Sequence, residues 1–472
     1  MVFSSAVFLF YFFPAFLFLY YLLPWKNAVL LLGSLLFYAW GEPRFVPLLM
    51  ASALLNYGFG YAIAGAAARR KLLLVVGIGL NLAMLAYYKY LNFFSDVLHT
   101  LLPAYESKLP AIVLPLGISF FTFQGISYLI DVYRREIAAQ SSLLNFAMYK
   151  AMFPQLIAGP IVRYSQIAGE IDRRVIDNAR LWTGVRQFVI GLGQKVLIAN
   201  TVALPADRIF ALPADQLNAG TAWLGIACYS IQILYDFAGY SNMAIGIGHM
   251  LGFSYPPNFR RPYSALSITD FWRRWHISLS SWFRDYLYIP LGGNRGRPLR
   301  TYFNLALVFV LCGLWHGAAW TFVIWGAWHG LLLVLERLGG AALLARLPGP
   351  LAQAWTLLCV MLGWVFFRAD SVPHALAYLD SMFGGHDTAL LAQPWQLNFS
   401  TTAGIALAAG VLIAVWRPLR ALKPTAAATP AAVLPLPLLS GAVRTLALAL
   451  MFLVCIGSLA AGTYNPFIYF RF

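Results

Sequence analysis

Seven histidines occur in the 472-residue chain, and His316 occupies the least expected surroundings for an ionisable ring. It lies in the run Cys312-Gly313-Leu314-Trp315-His316-Gly317-Ala318-Ala319-Trp320, apolar throughout and with glycine on both sides. Glycine lets another backbone or a ligand approach closely, and the flanking tryptophans can wall a pocket. A neutral imidazole titrates near neutrality and can take a proton from a hydroxyl nucleophile. The plainer alternative is a core histidine hydrogen-bonded to a neighbouring helix, and the residues alone leave both open. His329 repeats the triplet as Trp328-His329-Gly330, 13 residues further on. That is roughly 220° around a continuous helix at about 100° per residue. The two rings can share one site only if the helix breaks at Gly317, so His329 reads as structural. His276 follows Trp275 in an arginine-rich stretch, while His249 reads as a helix-end residue and His99, His374 and His386 as bystanders.

Other chemistries lack their motifs. There is no G-x-x-x-x-G-K-[ST] phosphate loop, no H-E-x-x-H zinc motif and no G-x-S-x-G nucleophile elbow. No histidine has an aspartate five residues on, unlike soluble H-x4-D acyltransferases. Cys228, Cys312, Cys359 and Cys455 are scattered in apolar runs, so neither a disulfide framework nor a metal site is expected.

The elements that must position these residues are membrane helices. The chain is 61% hydrophobic and 11% charged, whereas soluble domains carry about 25% charged residues. Met1–Leu23 has no basic n-region or small-residue cleavage site and reads as the first span. Apolar runs including Trp223–His249, Tyr302–Leu314 and Trp320–Leu335 suggest ten to twelve membrane segments in all. Net charge is +16, which fits basic loops meeting anionic membrane lipids; no nucleic-acid-reading module accompanies it. The basic turns Ala68–Lys71 and Arg134-Arg135 are expected in the cytoplasm, with Ser95–Pro110 and the N-terminus outside.

Phe253–Arg300 departs from this pattern. It interleaves arginines with Trp272, Trp275, Trp282, Phe283, Tyr286 and Tyr288. Ser267 with Asp270 marks a helix start. Phe271, Trp275, Leu279, Trp282 and Tyr286 then predict one amphipathic helix at the interface, ended by Pro290 and Gly292-Gly293. Gly339–Pro350 and Arg417–Pro437 read as connectors, and Asn465–Phe472 as an aromatic tail that packs back on the protein or lies at the interface.

Several runs occur together in a consistent order: Leu114–Gln124, Phe153–Ile161, Asp236-Phe237-Ala238-Gly239-Tyr240-Ser241, Asp270–Ser280, Trp315-His316-Gly317 and Pro466–Phe470. As an ordered set they resemble the membrane-bound O-acyltransferases, in particular the bacterial branch that acetylates alginate. The resemblance implies an all-α polytopic fold, a ring of about ten to twelve helices around a funnel or tunnel, with re-entrant and amphipathic segments. One membrane domain is expected, with N-terminal hairpins (1–135), a catalytic core (136–338) and C-terminal helices (339–472). His316 falls on the family's presumed catalytic histidine and His276 on its second motif histidine. Gln155, Tyr240, Asn242 and Trp315 are candidate pocket residues. Arg273 and Arg274 either bind the phosphates of a donor or face lipid.

The implied activity is transfer of acetyl from a cytoplasmic thioester, acetyl-CoA, across the bacterial inner membrane for exopolysaccharide acetylation. It needs no cofactor or metal, and involves periplasmic esterase-like partner proteins. The alternatives are D-alanyl-type transfer to a cell-wall polymer, a transporter or channel for a small anion or polysaccharide, or a scaffold subunit with inert histidines. A transporter predicts inverted repeats, and the histidine and arginine motifs instead form one central block.

Overall fold

A chain this apolar must satisfy its backbone polar groups internally, and helices do so within each segment. The computed structural model describes residues 1–102, 112–385, 399–416 and 441–466; every regular element among them is helical. Seven described stretches are long and apolar enough to cross a bilayer, and Val7–Leu22 and Thr401–Val415 are shorter apolar helices. The expected Trp223–His249 span is part of one 32-residue helix that is buried along most of its length. The apolar run Ile112–Ile130 becomes helical only at Ile118, after Gly117 turns the chain at φ +78°. Half of the 95–110 loop, the 417–437 connector, His386 and the tail from Phe467 lie outside the described residues.

The chain divides into two compact units, residues 1–188 with 244–256, and residues 189–243 with 257–472. The first contains α1 (Phe13–Leu22), α2 (Lys26–Gly41), α3 (Val46–Gly65), α4 (Arg70–Leu85), α5 (Leu91–Leu101), α6 (Ile118–Arg134), α7 (Leu143–Ala151), α8 (Phe153–Leu156), α9 (Tyr164–Asp172) and most of α10 (Asn178–Gly193). Its core is aromatic, with Phe37 and Phe153 5.1 Å apart between ring centroids. Asn56 and Asn81 exchange amide hydrogen bonds of 3.1 and 3.0 Å, joining α3 to α4 where water cannot serve the amides.

The second unit contains α11 (Asn200–Phe210), α12 (Ala219–Met250) as far as Met243, α13 (Ile268–Trp272), α14 (Ile277–Phe283), α15 (Pro298–His316), α16 (Trp320–Leu335), α17 (Ala341–Arg346), α18 (Gly349–Arg368), α19 (Val372–Met382), α20 (Thr401–Val415) and α21 (Gly441–Ala460). Thr301, Asn304, Val308, Cys312 and His316 are buried along α15 at steps of three and four, the spacing of one helix face. Trp325, His329, Leu332 and Glu336 form the matching face of α16 and its continuation. Gly313 and Gly326 let the two helices touch backbone to backbone: a Cβ on Gly326 would come within 3.2 Å of the Gly313 Cα. Elsewhere in the unit Lys195 and Asp236 form a fully buried ion pair at 2.5 Å. The Pro466 carbonyl also accepts from Lys195, and Asn200 donates to Asn465 at 3.0 Å, so the described part of the tail packs back on the protein.

The single amphipathic helix expected across Phe271–Tyr286 is broken. Arg274 and Trp275 donate their backbone N–H groups back to Phe271, at 2.9 and 2.8 Å, closing the first helix. An extended segment then takes over the backbone: Arg260 donates to the Arg274 carbonyl, and Ile277 donates to that of Asn258, both at 2.9 Å. His276 between them adopts a left-handed conformation (φ 42°, ψ 56°). Phe271, Trp275, Leu279 and Trp282 are all buried, so the aromatic stripe packs into protein instead of lying on a membrane surface.

Candidate active site

Helix α15 stops at His316, and Gly317 and Ala319 run extended before Trp320 starts α16. The helix therefore does break at Gly317, the condition under which both Trp-His-Gly histidines can serve one region. His316 ends up 5% exposed, inside a wall of rings. Trp315 lies 4.9 Å from it between ring centroids, Trp325 5.0 Å and Phe367 5.3 Å, all close to perpendicular.

The turn between α13 and α14 delivers the second imidazole. His276 is completely buried, and its ring centroid lies 6.4 Å from that of His316 and 6.0 Å from that of Trp315. Phe237 of α12 packs edge-to-face against it at 4.6 Å. Left-handed backbone is uncommon for a residue with a side chain and persists where the surroundings impose it, often at functional sites. Asn258 is what holds the ring. Its Oδ1 accepts the Ser278 N–H at 3.2 Å and the Ser278 hydroxyl at 2.9 Å, and lies 3.1 Å from His276 Nδ1. An atom that accepts a backbone N–H is the amide oxygen, so Nδ1 must carry the imidazole proton and Nε2 the lone pair. Nε2 makes no hydrogen bond among the described residues. The 268–288 stretch lies between candidate spans, and burial pushes the His276 imidazole down to about 3, which keeps the ring neutral.

Helix α13 is held at both ends by α16 and its continuation at Glu336. At its start the Glu336 carboxylate accepts the Thr269 N–H at 3.0 Å, the Thr269 hydroxyl at 2.6 Å and the Ile268 N–H at 2.5 Å. At its end Trp272 Nε1 donates to His329 Nδ1 at 3.3 Å. His329 and Glu336 are two turns apart on one face, so this face sets the pitch of the segment that carries His276. His329 also packs 5.2 Å from Trp325, the ring that abuts His316.

A family model for the membrane-bound O-acyltransferases matches residues 133–343. The probable alginate O-acetylase AlgI of Pseudomonas putida is 42% identical, and the alignment covers 100% of both chains. The chain belongs to the membrane-bound O-acyltransferase family. It is a multi-pass membrane O-acyltransferase. The peptidoglycan O-acetyltransferase of Helicobacter pylori is 38% identical over 81% of this chain and 80% of its own. The teichoic acid D-alanyltransferase of Bacillus subtilis is 32% identical over 43% of this chain and 54% of its own.

The candidate residues of this acyltransferase divide into those that meet and those that do not. His316, His276 and Trp315 come together. Tyr240 is buried on α12, and Asn242 donates to Gln194 at 2.8 Å. Arg274 is engaged by Asp270 at 2.8 Å, while Arg273 is exposed. Gln155 belongs to the first unit, where its amide donates to the Tyr149 carbonyl at 2.5 Å. Asn258 and Glu336 escape sequence reasoning altogether. Glu336 leaves a trace, as the one acidic residue among Leu331–Leu338.

Proposed function

We propose that this chain moves acetyl from a cytoplasmic thioester donor, acetyl-CoA, across the bacterial inner membrane for O-acetylation of an exopolysaccharide such as alginate. The observation that carries the reading is the pair His316 and His276, with ring centroids 6.4 Å apart in a buried, aromatic-walled site. His316 acts as general base. It takes the proton of the acceptor hydroxyl as that oxygen attacks the thioester carbonyl. The C–S bond breaks, the thiolate leaves, and the proton held on His316 passes to it. The ring of His276, unprotonated at Nε2, lies 6.4 Å away between centroids. The Trp325 N–H is a buried donor with no hydrogen-bond partner among the described residues, and it lies on a ring packed against His316 where a developing oxyanion needs donors.

Acetyl is favoured over D-alanyl because the O-acetylase relatives align along most or all of the chain and the D-alanyltransferase along less than half. No cofactor or metal enters the scheme, and periplasmic esterase-like proteins would receive the acetyl group and pass it to the polymer. The test is His316→Ala in cells and in purified membranes. We expect stable insertion with acetylation reduced to background; wild-type acetylation by an inserted variant would overturn the assignment.

A further inference from the structure

Beside the two histidines a groove of about 410 Å³ runs between the α13–α14 segment and the α15–α16 hairpin. Its floor is apolar, made by Leu279, Phe283, Leu305, Val308 and Phe309. Its rim is not. Arg273 stands there exposed, its guanidinium making no hydrogen bond or ion pair among the described residues. Three carboxylates lie nearby and all are occupied: Asp270 takes Arg274 at 2.8 Å, Asp285 chelates Arg284 at 2.6 and 3.0 Å, and Glu336 accepts from Ile268 and Thr269. Beyond the rim, Arg295 and Arg297 are exposed as well. The groove thus joins an apolar trough to a surplus of positive charge.

We propose that this groove is a binding site for one anionic glycerophospholipid, with an acyl chain along the trough and the headgroup phosphate on Arg273. The volume falls in the range of small-molecule clefts, roughly 300–1,000 Å³, and a polypeptide helix about 10 Å across does not fit. The trough takes hydrocarbon, and a guanidinium with free N–H groups takes a phosphate bidentately. The engagement of Asp270, Asp285 and Glu336 favours an anionic headgroup. The ammonium of a zwitterionic lipid would sit beside exposed arginines with no free carboxylate to offset them. The site also has a consequence for the histidines. Its inner wall includes Trp272 and Ile277, on either side of the turn that carries His276, and Cys312, one turn before His316. A bound acyl chain therefore buttresses the turn from behind.

Binding is read without turnover, so its failure and that of the acyl-transfer reading are separable. The full chain is purified in detergent and its thermal midpoint followed as lipid is added to the micelles. Phosphatidylglycerol should raise the midpoint by several degrees, and phosphatidylcholine with the same acyl chains should not. Arg273→Gln should abolish the headgroup preference, and Leu305→Trp, which fills the trough, should abolish the shift. Equal stabilisation by both lipids overturns the proposal, as does an unaltered shift in both variants. Inorganic phosphate reproducing the effect also overturns it, because the acyl chain would then play no part. Should either variant fail to fold, the two-lipid and phosphate comparison on the unaltered chain still decides.

Discussion

The side-chain oxygen of Asn258 lies 3.1 Å from Nδ1 of His276 while accepting the Ser278 N–H at 3.2 Å. This contact places the imidazole proton on Nδ1 and leaves the Nε2 lone pair without a hydrogen bond among the described residues. A neutral histidine works as a base only through the nitrogen that is not protonated, and Asn258 makes that choice for His276.

Asn258→Leu should therefore harm both stability and rate. Each buried donor left unsatisfied costs about 1–3 kcal/mol, and loss of the tautomer should lower acyl transfer by about 10²-fold if His276 takes part in proton transfer. Asn258→Asp keeps an acceptor at the same place and should recover most of the rate. Transfer kinetics alongside thermal midpoints separate the two effects. A Leu variant with lower stability but full rate would leave Asn258 a purely structural residue.

The protonation of His276 predicts how stability responds to acid. Its imidazole is held down to about 3, below the ordinary 6.5, by burial. The folded state is then stabilised by the neutral ring above about pH 6.5, and that contribution is lost as pH falls toward 3. One proton sets a slope of at most about 1.4 kcal/mol per pH unit. His276→Asn removes the titrating group, and asparagine tolerates the left-handed backbone better than most residues. His316 also faces the ring, so the measurement is the difference between parent and variant across pH 6.5 to 4. Parallel midpoint curves would refute the prediction.

Glu336 and His329 make a second pair of predictions, since together they clamp α13. Glu336→Ala removes the acceptor for three donors and should cost about 1.5–3 kcal/mol for each charged hydrogen bond that water does not replace. Trp272→Phe keeps an aromatic ring for the edge-to-face contacts but deletes the N–H to His329, at about 1 kcal/mol. Both should lower the rate more than they raise KM, because they displace His276 without touching substrate. A rise in KM alone would point instead to a direct role in binding.

Much of this arrangement is legible in the sequence, for a physical reason. An imidazole between glycines and tryptophans in an apolar run is costly unless used, so His316 stands out unaided. The helical character follows from apolar length, whereas the α15–α16 break at Gly317 is only a condition in the sequence and becomes a fact in the fold. The split of Phe271–Tyr286 is hidden, because periodicity reports which residues are buried together and not whether the backbone between them stays helical. What breaks the helix is the extended segment at Asn258–Arg260, brought there only by the fold. Asn258 acts across 18 residues and Glu336 across 67 and 68, separations at which local pattern carries no information. Arg273 and Arg274 are adjacent in sequence, yet Asp270, four residues before Arg274, engages only that one and leaves Arg273 free at the groove.

The two histidines finally predict a non-additive mutant cycle. His316→Ala alone should remove nearly all transfer. His276→Asn alone should cost about 10²-fold or more, within the range of a positioned acid–base group. If both rings act on one hydroxyl, the second substitution removes an interaction the first has already disabled. The double variant should then be no slower than His316→Ala, as groups that work as a unit behave. The cycle is read as kcat/KM with a soluble thioester donor, in protein that keeps its thermal midpoint. Losses that simply multiply would mean that the rings serve separate steps, and that their 6.4 Å approach is a matter of packing.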